Sequence, residues 1–373
     1  MKDYLRYMLN PAILLASAYG LYEGGSFVWL GFAVLIGILS FDSFLSADYG
    51  LRDQRFPWLY DTIVAVQVLA GFGQIFMYAS LVGQHHFQST TEHVGAFLTM
   101  MFTQFIVSAP ALHEMFHREN LAHRWLGRLG MVMIFDPWRE ITHVVTHHVH
   151  TVTPDDPDYA WRGQNLYSHL VRTFKGQVRE SFALEKQMWT KRGRKALDPR
   201  NAWVWRVGIL IAFVALLAAI GGPKGAFLAV LVCLVGPRLL LEMFNYTQHY
   251  GLVTATPGRF DERHTWNHLT PFVRILALEI TNHAGHHEDS YKPFYALRPR
   301  PTGPQQPPFF ICLLLSLVPP LWYMMIRPRL AHWDACYATP QERELAEVEN
   351  ERAGWSDLNH KPDLARIRLA VAP

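Results

Sequence analysis

Long apolar stretches separated by short polar connections occupy most of the first 250 residues. A helix that crosses a membrane needs about 20 mostly apolar residues, and six stretches reach or approach that length. They predict helices at 8–22, 27–42, 60–83, 94–113, 203–221 and 225–248. The pattern therefore predicts an all-α integral membrane protein with six transmembrane helices.

A seventh apolar run, at residues 307–326, is interrupted by Pro319 and Pro320. Proline breaks the interior of a helix, so this run could span the membrane, re-enter it or lie in its interface, and the last two are favoured. Thr339 followed by Pro340 is typical of a capped helix start, and predicts a charged, soluble helix in the C-terminal tail.

The charges are scarce and unevenly placed: 17% of the residues are charged, against a norm of about 25%. Only one Lys or Arg, Lys224, occurs in the connections at 22–26, 84–93 and 221–225. Because cytoplasmic loops are rich in Lys and Arg, we expect the opposite side and both termini to be cytoplasmic. This predicts a bundle at 1–250 with a cytoplasmic insertion at 118–201, and a cytoplasmic region at 251–373. A net charge of +3 without a basic stripe predicts no nucleic-acid partner.

Nine of the 19 histidines lie in short motifs that this topology brings to one membrane face. They are His113, His117, His143, His147, His148, His249, His283, His286 and His287. Adjacent residues of a helix point about 100° apart, so each His-His pair suits two ions better than one. Nine imidazoles divide naturally as four and five around two metals, in a cap on the cytoplasmic side. Imidazole binds iron, zinc, copper and nickel alike, so the ligand type does not name the metal.

The segment HEMFH at 113–117 also matches the H-E-x-x-H motif of zinc proteases. In that reading Glu114 would be the general base and one further ligand would complete the site. Seven clustered histidines would then have no role. An intramembrane zinc protease is therefore a remote alternative.

The histidine motifs H-x-x-x-H, H-x-x-x-H-H and H-x-x-H-H resemble those of the membrane-bound, histidine-rich di-iron enzymes. The block NYTQHYGL at 245–252 resembles the HYG block that separates alkane and xylene hydroxylases from fatty-acid desaturases. THVVTHH and NHAGHH depart from the alkane-enzyme pattern and favour the aromatic, xylene and p-cymene branch. The resemblance implies two iron ions bound by the nine histidines, in a protein of the bacterial inner membrane.

The resemblance also implies a function: hydroxylation by dioxygen of a methyl group on an apolar hydrocarbon, such as xylene, toluene or p-cymene, that enters from the bilayer. The alternatives are a terminal alkane 1-monooxygenase and a fatty-acid desaturase. Electrons would come from a separate NADH-dependent flavin and iron–sulfur reductase, or from rubredoxin, docked on the cytoplasmic face. Cys233, Cys312 and Cys336 stand far apart, so we expect no electron-transfer cofactor in this chain.

Four other polar residues are candidates for positions around the metals. Glu114 is expected to orient a ligand imidazole. Asp156, with Asp155 and Asp158 beside it, could hold a ligand histidine by its second nitrogen or form a simple turn. Glu242 lies four residues after Arg238 in the last predicted span, where the two form an ion pair or order the metal site. His264 is expected near the metals or at the surface, rather than as a ligand.

Basic residues on the cytoplasmic side are the candidates for the surface that receives the electron donor. Those singled out by the sequence are Arg118, Arg124, Arg128, Lys191, Arg192, Arg194 and Lys195.

Overall fold

The computed structural model describes residues 2–359, and this part of the chain is helical, without β-strands beyond one isolated bridge. In chain order the α-helices are Lys2–Tyr7, Leu9–Glu23, Leu30–Asp42, Pro57–Gly83, Thr90–Thr103, Ala109–Phe116, Leu121–Met133, Arg139–Thr142, His148–His150, Leu166–Lys191, Ala202–Cys233, Leu240–His249, Pro271–Leu276, His283–Glu288, Phe309–Ser316, Pro319–Cys336 and Pro340–Ala353. Short 3₁₀ turns lie at Gly25–Trp29, Glu262–His264, Phe294–Ala296 and Ser356–Asn359.

Four helical stretches are long and apolar enough to cross a membrane. They are Gly25–Asp42, Pro57–Gly83, Thr90–Phe116 and Ala202–His249. Each predicted helix is found within a few residues of its expected bounds, because a long apolar run is the main sequence signal of a membrane helix. The protein is therefore a mostly helical membrane protein.

Buried polar side chains join the helices Leu9–Glu23 and Pro57–Gly83. The amide of Asn10 donates to Gln67 Oε1 at 3.4 Å, and Gln74 Nε2 donates to the carbonyl of Leu14 at 2.7 Å. The residue numbers at the two contacts increase together, from 10 to 14 in one helix and from 67 to 74 in the other. The two helices therefore run in the same direction. In an apolar environment such pairs satisfy groups that would otherwise be costly.

The stretch Ala202–His249 is a helical hairpin and not one straight helix. It reverses at Gly222, whose φ of 63° is accessible mainly to glycine, next to Pro223. A Cβ on Gly83 would lie 2.5 Å from the carbonyl oxygen of Gly221, so glycines allow the backbones to touch at this end. The chain then returns beside Thr90–Phe116 and carries its C-terminal end to the level of the histidines.

Three π-helical turns precede or carry the clustered histidines. They are Gln104–Ser108, His143–His147 and Leu234–Leu239. A π turn inserts one extra residue, which rotates all later side chains around the helix axis, and it occurs often at functional sites. The turns therefore set which way the histidines that follow them point.

The C-terminal apolar run forms two helices, Phe309–Ser316 and Pro319–Cys336, with the break at the expected prolines. Proline fits the first turn of the second helix, where its missing N–H costs nothing. The predicted tail helix is also found: Thr339 caps Pro340–Ala353 through the N–H of Glu342. The buried ring of Trp322 packs against Tyr246, which fixes these helices to the bundle.

Candidate metal centre

Eight of the nine clustered histidines form two compact, buried groups. The first histidine group is His113, His117, His143 and His286. The second histidine group is His147, His249, His283 and His287. Within each group one ring atom per residue lies within 4.8 Å of the others. The adjacent pair at 286 and 287 thus divides between the groups, as the 100° step of a helix predicts.

His148 lies between the two groups. Its Nε2 is 3.2 Å from Nε2 of His143, and its ring centroid lies 4.8 Å from that of His286 and 4.5 Å from that of His287. His143 and His148 are five residues apart, and the π turn brings positions with that spacing to one face. The expected division into four and five therefore depends on which group His148 joins.

Several Nε2 atoms of the clustered histidines lie close to one another. Nε2 of His113 lies 2.9 Å from Nε2 of His143, and Nε2 of His249 lies 2.9 Å from Nε2 of His283. Two nitrogens bound at right angles to one ion, each at about 2.0–2.1 Å, are also separated by about 2.9 Å. Among the nine clustered histidines, His117, His143, His147, His148 and His286 have buried ring nitrogens without a hydrogen-bond partner in the described chain. The donor set therefore fits metal ions.

Burial favours the neutral form of these imidazoles. Burial, and then the neighbouring imidazoles, hold the pKa of His143 well below its ordinary value, and burial lowers the pKa of His286 to about 3. A histidine binds a metal through its neutral ring, so these groups are ready to coordinate at neutral pH. His147 differs, because the carboxylate of Asp156 outweighs the effect of burial and raises its pKa.

Asp156 holds a histidine of the second group, as the sequence suggested. Nδ1 of His147 donates to Oδ2 of Asp156 at 2.8 Å, and the other carboxylate oxygen accepts the N–H of Asp158 at 2.8 Å. A carboxylate on one ring nitrogen fixes the tautomer and leaves the other nitrogen for a metal. The buried Asp156 thus orients His147.

His264 acts on the second group through its backbone. Its carbonyl accepts Nδ1–H of His249 at 3.0 Å, while its own Nε2 lies 2.8 Å from Oε1 of Glu342. Burial alone would raise the pKa of Glu342, but hydrogen bonds from Arg263, from the backbone of Thr339 and from His264 lower it to about 2. The C-terminal helix therefore holds the segment that orients His249.

A buried charged network joins the segments that carry the histidines. Glu242 pairs with Arg238, four residues before it, and with Arg139 at 2.5 Å. Arg139 lies four residues before His143, and Glu242 lies seven before His249. The ion pair suggested by the sequence is thus present, and it also links two ligand-bearing segments. Removing one partner of such a buried network typically costs about 3–5 kcal/mol.

Glu114 differs from the expectation, because its carboxylate bonds to no imidazole among the described residues. It pairs with Arg118 at 2.9 Å and accepts the N–H of Phe294 at 3.2 Å. His113 and His117 share one helix face, and position 114 is rotated about 100° from it. Glu114 instead fixes the loop that follows the third histidine motif.

Three residues that contact or support the histidine site were not predicted from the sequence. Arg139 carried a usable signal, a lone arginine four residues before His143. Thr151, whose Oγ1 lies 3.3 Å from Nδ1 of His287, is an ordinary residue after a histidine motif. Glu342 lies 78 residues from the histidine it contacts, so no local pattern could reveal it.

An apolar cavity adjoins the histidines on the bundle side. His113 forms part of its wall, and its volume is about 30 Å³. Phe105, Phe244 and Phe309 supply aromatic walls. The rings of Phe244 and Phe309 meet edge to face at 5.6 Å, and Phe244 meets His283 at the same distance. The cavity therefore borders the first histidine group at His113, and Phe244 in its wall contacts His283 of the second group.

The sequence profile of the fatty acid desaturase family matches residues 88–300. The chain is 35% identical, over 95% of its length and 96% of the relative's, to the hydroxylase component of xylene/toluene monooxygenase from Pseudomonas putida. It is 29% identical to alkane 1-monooxygenase 2 of Alcanivorax borkumensis, over 58% of each chain. It is 27% identical to alkane 1-monooxygenase 1 of Pseudomonas aeruginosa, over 70% of this chain and 69% of that one.

A helical membrane bundle with two buried histidine groups beside an apolar cavity defines an oxygen-dependent hydroxylase of apolar compounds. The chain belongs to the membrane-bound, histidine-rich di-iron hydroxylases, the family of the alkane and xylene monooxygenases. It is a membrane hydrocarbon monooxygenase, and the protease and desaturase alternatives are not favoured.

Proposed function

We propose that the protein hydroxylates the methyl group of a small aromatic hydrocarbon of the xylene, toluene or p-cymene type. The observation that carries this proposal is the cavity beside His113, which Phe105, Phe244 and Phe309 line with aromatic rings. Aromatic rings prefer edge-to-face and offset contacts, so these walls suit a planar ring better than a long flexible chain. The relative that resembles this chain over nearly its whole length is named for xylene and toluene.

The proposed cofactor is a pair of iron ions held by His113, His117, His143, His147, His148, His249, His283, His286 and His287. Bound there, iron would supply the activation of dioxygen. The chain's own residues supply the rest. Asp156 and the carbonyl of His264 hold two ligand rings by their second nitrogens, and the phenylalanines exclude water and orient the methyl group.

The proposed arrangement in the membrane is six spans, with both termini and the histidine cap on the cytoplasmic side of a bacterial inner membrane. The positions of His117 and His249 support it, since His117 directly follows one helix, His249 ends another, and both belong to the clustered histidines. Residues 1–250, with the insertion at 118–201, would form the bundle, and 251–373 would complete the site from the cytoplasm. The helices after residue 307 would re-enter or lie in the interface.

We propose that electrons come from a separate NADH-dependent flavin and iron–sulfur reductase, or from rubredoxin, docked on the cytoplasmic face. Hydroxylation consumes two external electrons, and the cysteines at 233, 312 and 336 are free. Of the basic residues considered for docking, Arg118 is mostly buried in ion pairs with Asp61 and Glu114, and Arg128 pairs with Glu140. The exposed residues Lys191–Lys195 remain the better candidates for a charge-steered encounter.

The proposal is tested by product analysis with toluene, p-xylene, p-cymene, octane and a fatty acyl donor, side by side. Membranes that contain the full chain receive NADH with and without an added flavin and iron–sulfur reductase, or rubredoxin with its reductase. We expect benzylic alcohols as the main products, only when an electron donor protein is present. Octanol or a desaturated acyl chain as the main product would contradict the aromatic assignment. Turnover with NADH alone would contradict the separate donor.

A further inference from the structure

One ring of the second histidine group is stacked against a partly exposed aromatic side chain. The ring centroids of Phe260 and His287 lie 5.1 Å apart, with an angle of 22° between the ring planes. His287 is buried, whereas Phe260 keeps part of its surface exposed. Phe260 thus connects the surface of the protein with a buried candidate metal ligand.

Phe260 lines two openings of the protein surface. The larger is a cleft with a volume of about 320 Å³, lined by Phe260, Asp261, Glu262, Ala284, Glu288 and Arg300. The smaller is a notch of about 10 Å³, whose lining includes both Phe260 and His148, the histidine between the two groups. Ala284 directly follows His283, and Glu288 directly follows His287. A molecule that occupies the cleft therefore lies against the segment that carries these histidines.

The cleft is acidic. The acidic residues that line it are Asp261, Glu262 and Glu288. Arg300, the basic residue among its described lining residues, lies 2.5 Å from Glu288 and 4.0 Å from Glu262. Arg263 likewise pairs with Asp261 at 2.7 Å and with a carboxylate of the C-terminal helix at 2.9 Å. Each of these arginines serves two carboxylates, and the exposed Arg259 lines the notch and not the cleft. The cleft therefore suits a partner that carries basic side chains.

Electrons are what the histidine site must receive from another molecule. Each hydroxylation takes up two electrons and two protons, while one oxygen atom of dioxygen enters the substrate and the other leaves as water. Electron transfer between proteins becomes steeply slower with distance, so the donor must bring its cofactor close to the histidine groups. The cleft meets this requirement, because the ring of Phe260 in its wall is stacked on His287.

The basic segment Lys191–Lys195 lies further from the histidines. Its helix reaches the site at Glu180, whose carboxylate accepts the hydroxyl of Thr146, the residue before His147. Lys191 is eleven residues further along the same helix, or about 16 Å. Basic side chains there can steer the approach of a partner, but they do not bring its cofactor to the histidines.

We propose that the cleft beside Phe260 is the contact site of the electron donor, an iron–sulfur protein that presents its cofactor between basic side chains. Phe260 is the central contact of this interface and links the donor to His287. In each of two encounters the donor is oxidised by one electron, and the metal site is reduced by the same amount. The inference rests on the proposed function for the need of a separate donor, whereas the place of contact is tested by binding, without turnover.

The first test compares Phe260→Leu, which removes the aromatic ring, with Phe260→Tyr, which keeps it. The full chain is held in lipid nanodiscs, with and without iron, and its affinity for the flavin and iron–sulfur reductase of the product assay is measured by biolayer interferometry. We expect Phe260→Leu to weaken binding about 5- to 30-fold, as loss of an interface anchor does. Phe260→Tyr should bind as the unsubstituted protein does.

Reduction by methyl viologen, a small reductant that needs no docking site, separates a contact role from a structural one. Phe260→Leu should keep its metal content and its rate of reduction by methyl viologen. If both fall as much as the affinity for the reductase, Phe260 acts by supporting His287 and the proposal is overturned. Unchanged affinity of Phe260→Leu for the reductase would overturn it as well.

A blocking experiment compares the cleft with the basic segment. Glu262→Cys and Lys195→Cys are each labelled with a maleimide polyethylene glycol, in a Cys336→Ser background because Cys336 is exposed. Oxidation of pre-reduced reductase is followed by stopped flow without oxygen. We expect the label at position 262 to abolish electron transfer, and the label at position 195 to leave it at the rate of the unlabelled variant. Loss only with the label at 195, or equal loss with both, would overturn the proposal.

Failure of the proposed function gives a different result. If the unsubstituted protein oxidises the reductase and forms no benzylic alcohol, the proposed substrate class fails, and the contact site is judged on the same binding and blocking data. If the unsubstituted protein neither binds nor oxidises the reductase, the separate donor fails and the contact site is overturned with it.

Discussion

The hydroxyl of Tyr7 donates to Oε1 of Glu279 at 2.5 Å, across 272 residues of sequence. Burial, and then the charge of Glu279, raise the pKa of Tyr7 well above its ordinary value, so the hydroxyl keeps its proton. Arg52 and Arg274 also bind Glu279, at 2.8 and 2.5 Å. The backbone of Glu279 has a φ of 61°, which is unfavourable for this residue type. Three donors hold a strained turn four residues before His283.

Replacing Glu279 should therefore disturb the metal site from a distance. We expect Glu279→Gln to lower the free energy of unfolding by about 3–5 kcal/mol, because two buried guanidinium groups lose their partner. Tyr7→Phe removes one hydrogen bond to a charged group and should cost about 1.5–3 kcal/mol. Thermal unfolding and metal content per chain are the measurements. Unchanged stability in both variants would show that the turn does not depend on these bonds.

The two histidine groups predict two metal ions per chain and a selective effect of each ligand. His249→Ala should remove the ion of the second histidine group and leave about one ion per chain. The variant should lose hydroxylation activity but still insert into the membrane. His85→Asn is the control, since His85 is exposed in the connection between Pro57–Gly83 and Thr90–Thr103, and asparagine tolerates its positive φ. Elemental analysis checks both. One zinc and no iron in the unsubstituted protein would revive the protease reading.

The bond between Asp156 and His147 can be tested against an adjacent residue. Asp156→Ala should weaken metal binding about 10- to 100-fold, because His147 loses the partner that fixes its tautomer. Asp155→Ala removes the same group from an exposed position next to it and should have no effect. Metal retention against a chelator series separates the two. If both variants retain metal equally well, Asp156 stabilises the turn and does not affect metal binding.

Glu342 gives a stability effect with a defined pH range. Its pKa is about 2 in the folded protein and about 4.3 when unfolded, so its contribution is full above about pH 4.3. That contribution is lost as the pH falls through about 2, since protonation breaks the bonds to Arg263 and His264. Glu342→Gln should therefore be less stable than the unsubstituted protein at pH 7, with a difference that shrinks below pH 4. Glu344→Gln, on the exposed face of the same helix, is the control.

The proposed topology predicts the side of two reporters. A fusion after Pro373 should behave as cytoplasmic, and one inserted at 84–93 as periplasmic, because the basic residues gather on the side of the termini. Activity of paired reporters, one for each compartment, is the measurement. The reverse result would place the histidines outside and remove the route for electrons.

The sequence by itself determined the helices and the clustered histidines. The length of an apolar run is a local property, so each predicted helix lies within a few residues of its expected bounds. The break at Pro319 follows from the missing N–H of proline. Spacings of four within HEMFH and of one within each His-His pair determine which rings share a face. The sequence named Asp156 as one of three aspartates that could hold a histidine, and the structure places its Oδ2 2.8 Å from Nδ1 of His147.

Tertiary structure decided what depends on residues distant in the chain. The assignment of each ring to a group, and the place of His148 between the groups, follow from the packing of segments that no local pattern orders. The same holds for Glu342, which lies 78 residues from His264, and for Tyr7 at Glu279. The physical reason is that residue type and the spacing of neighbouring residues determine ligand chemistry and helix formation. Orientation, burial and the pairing of polar groups arise only when separate helices meet.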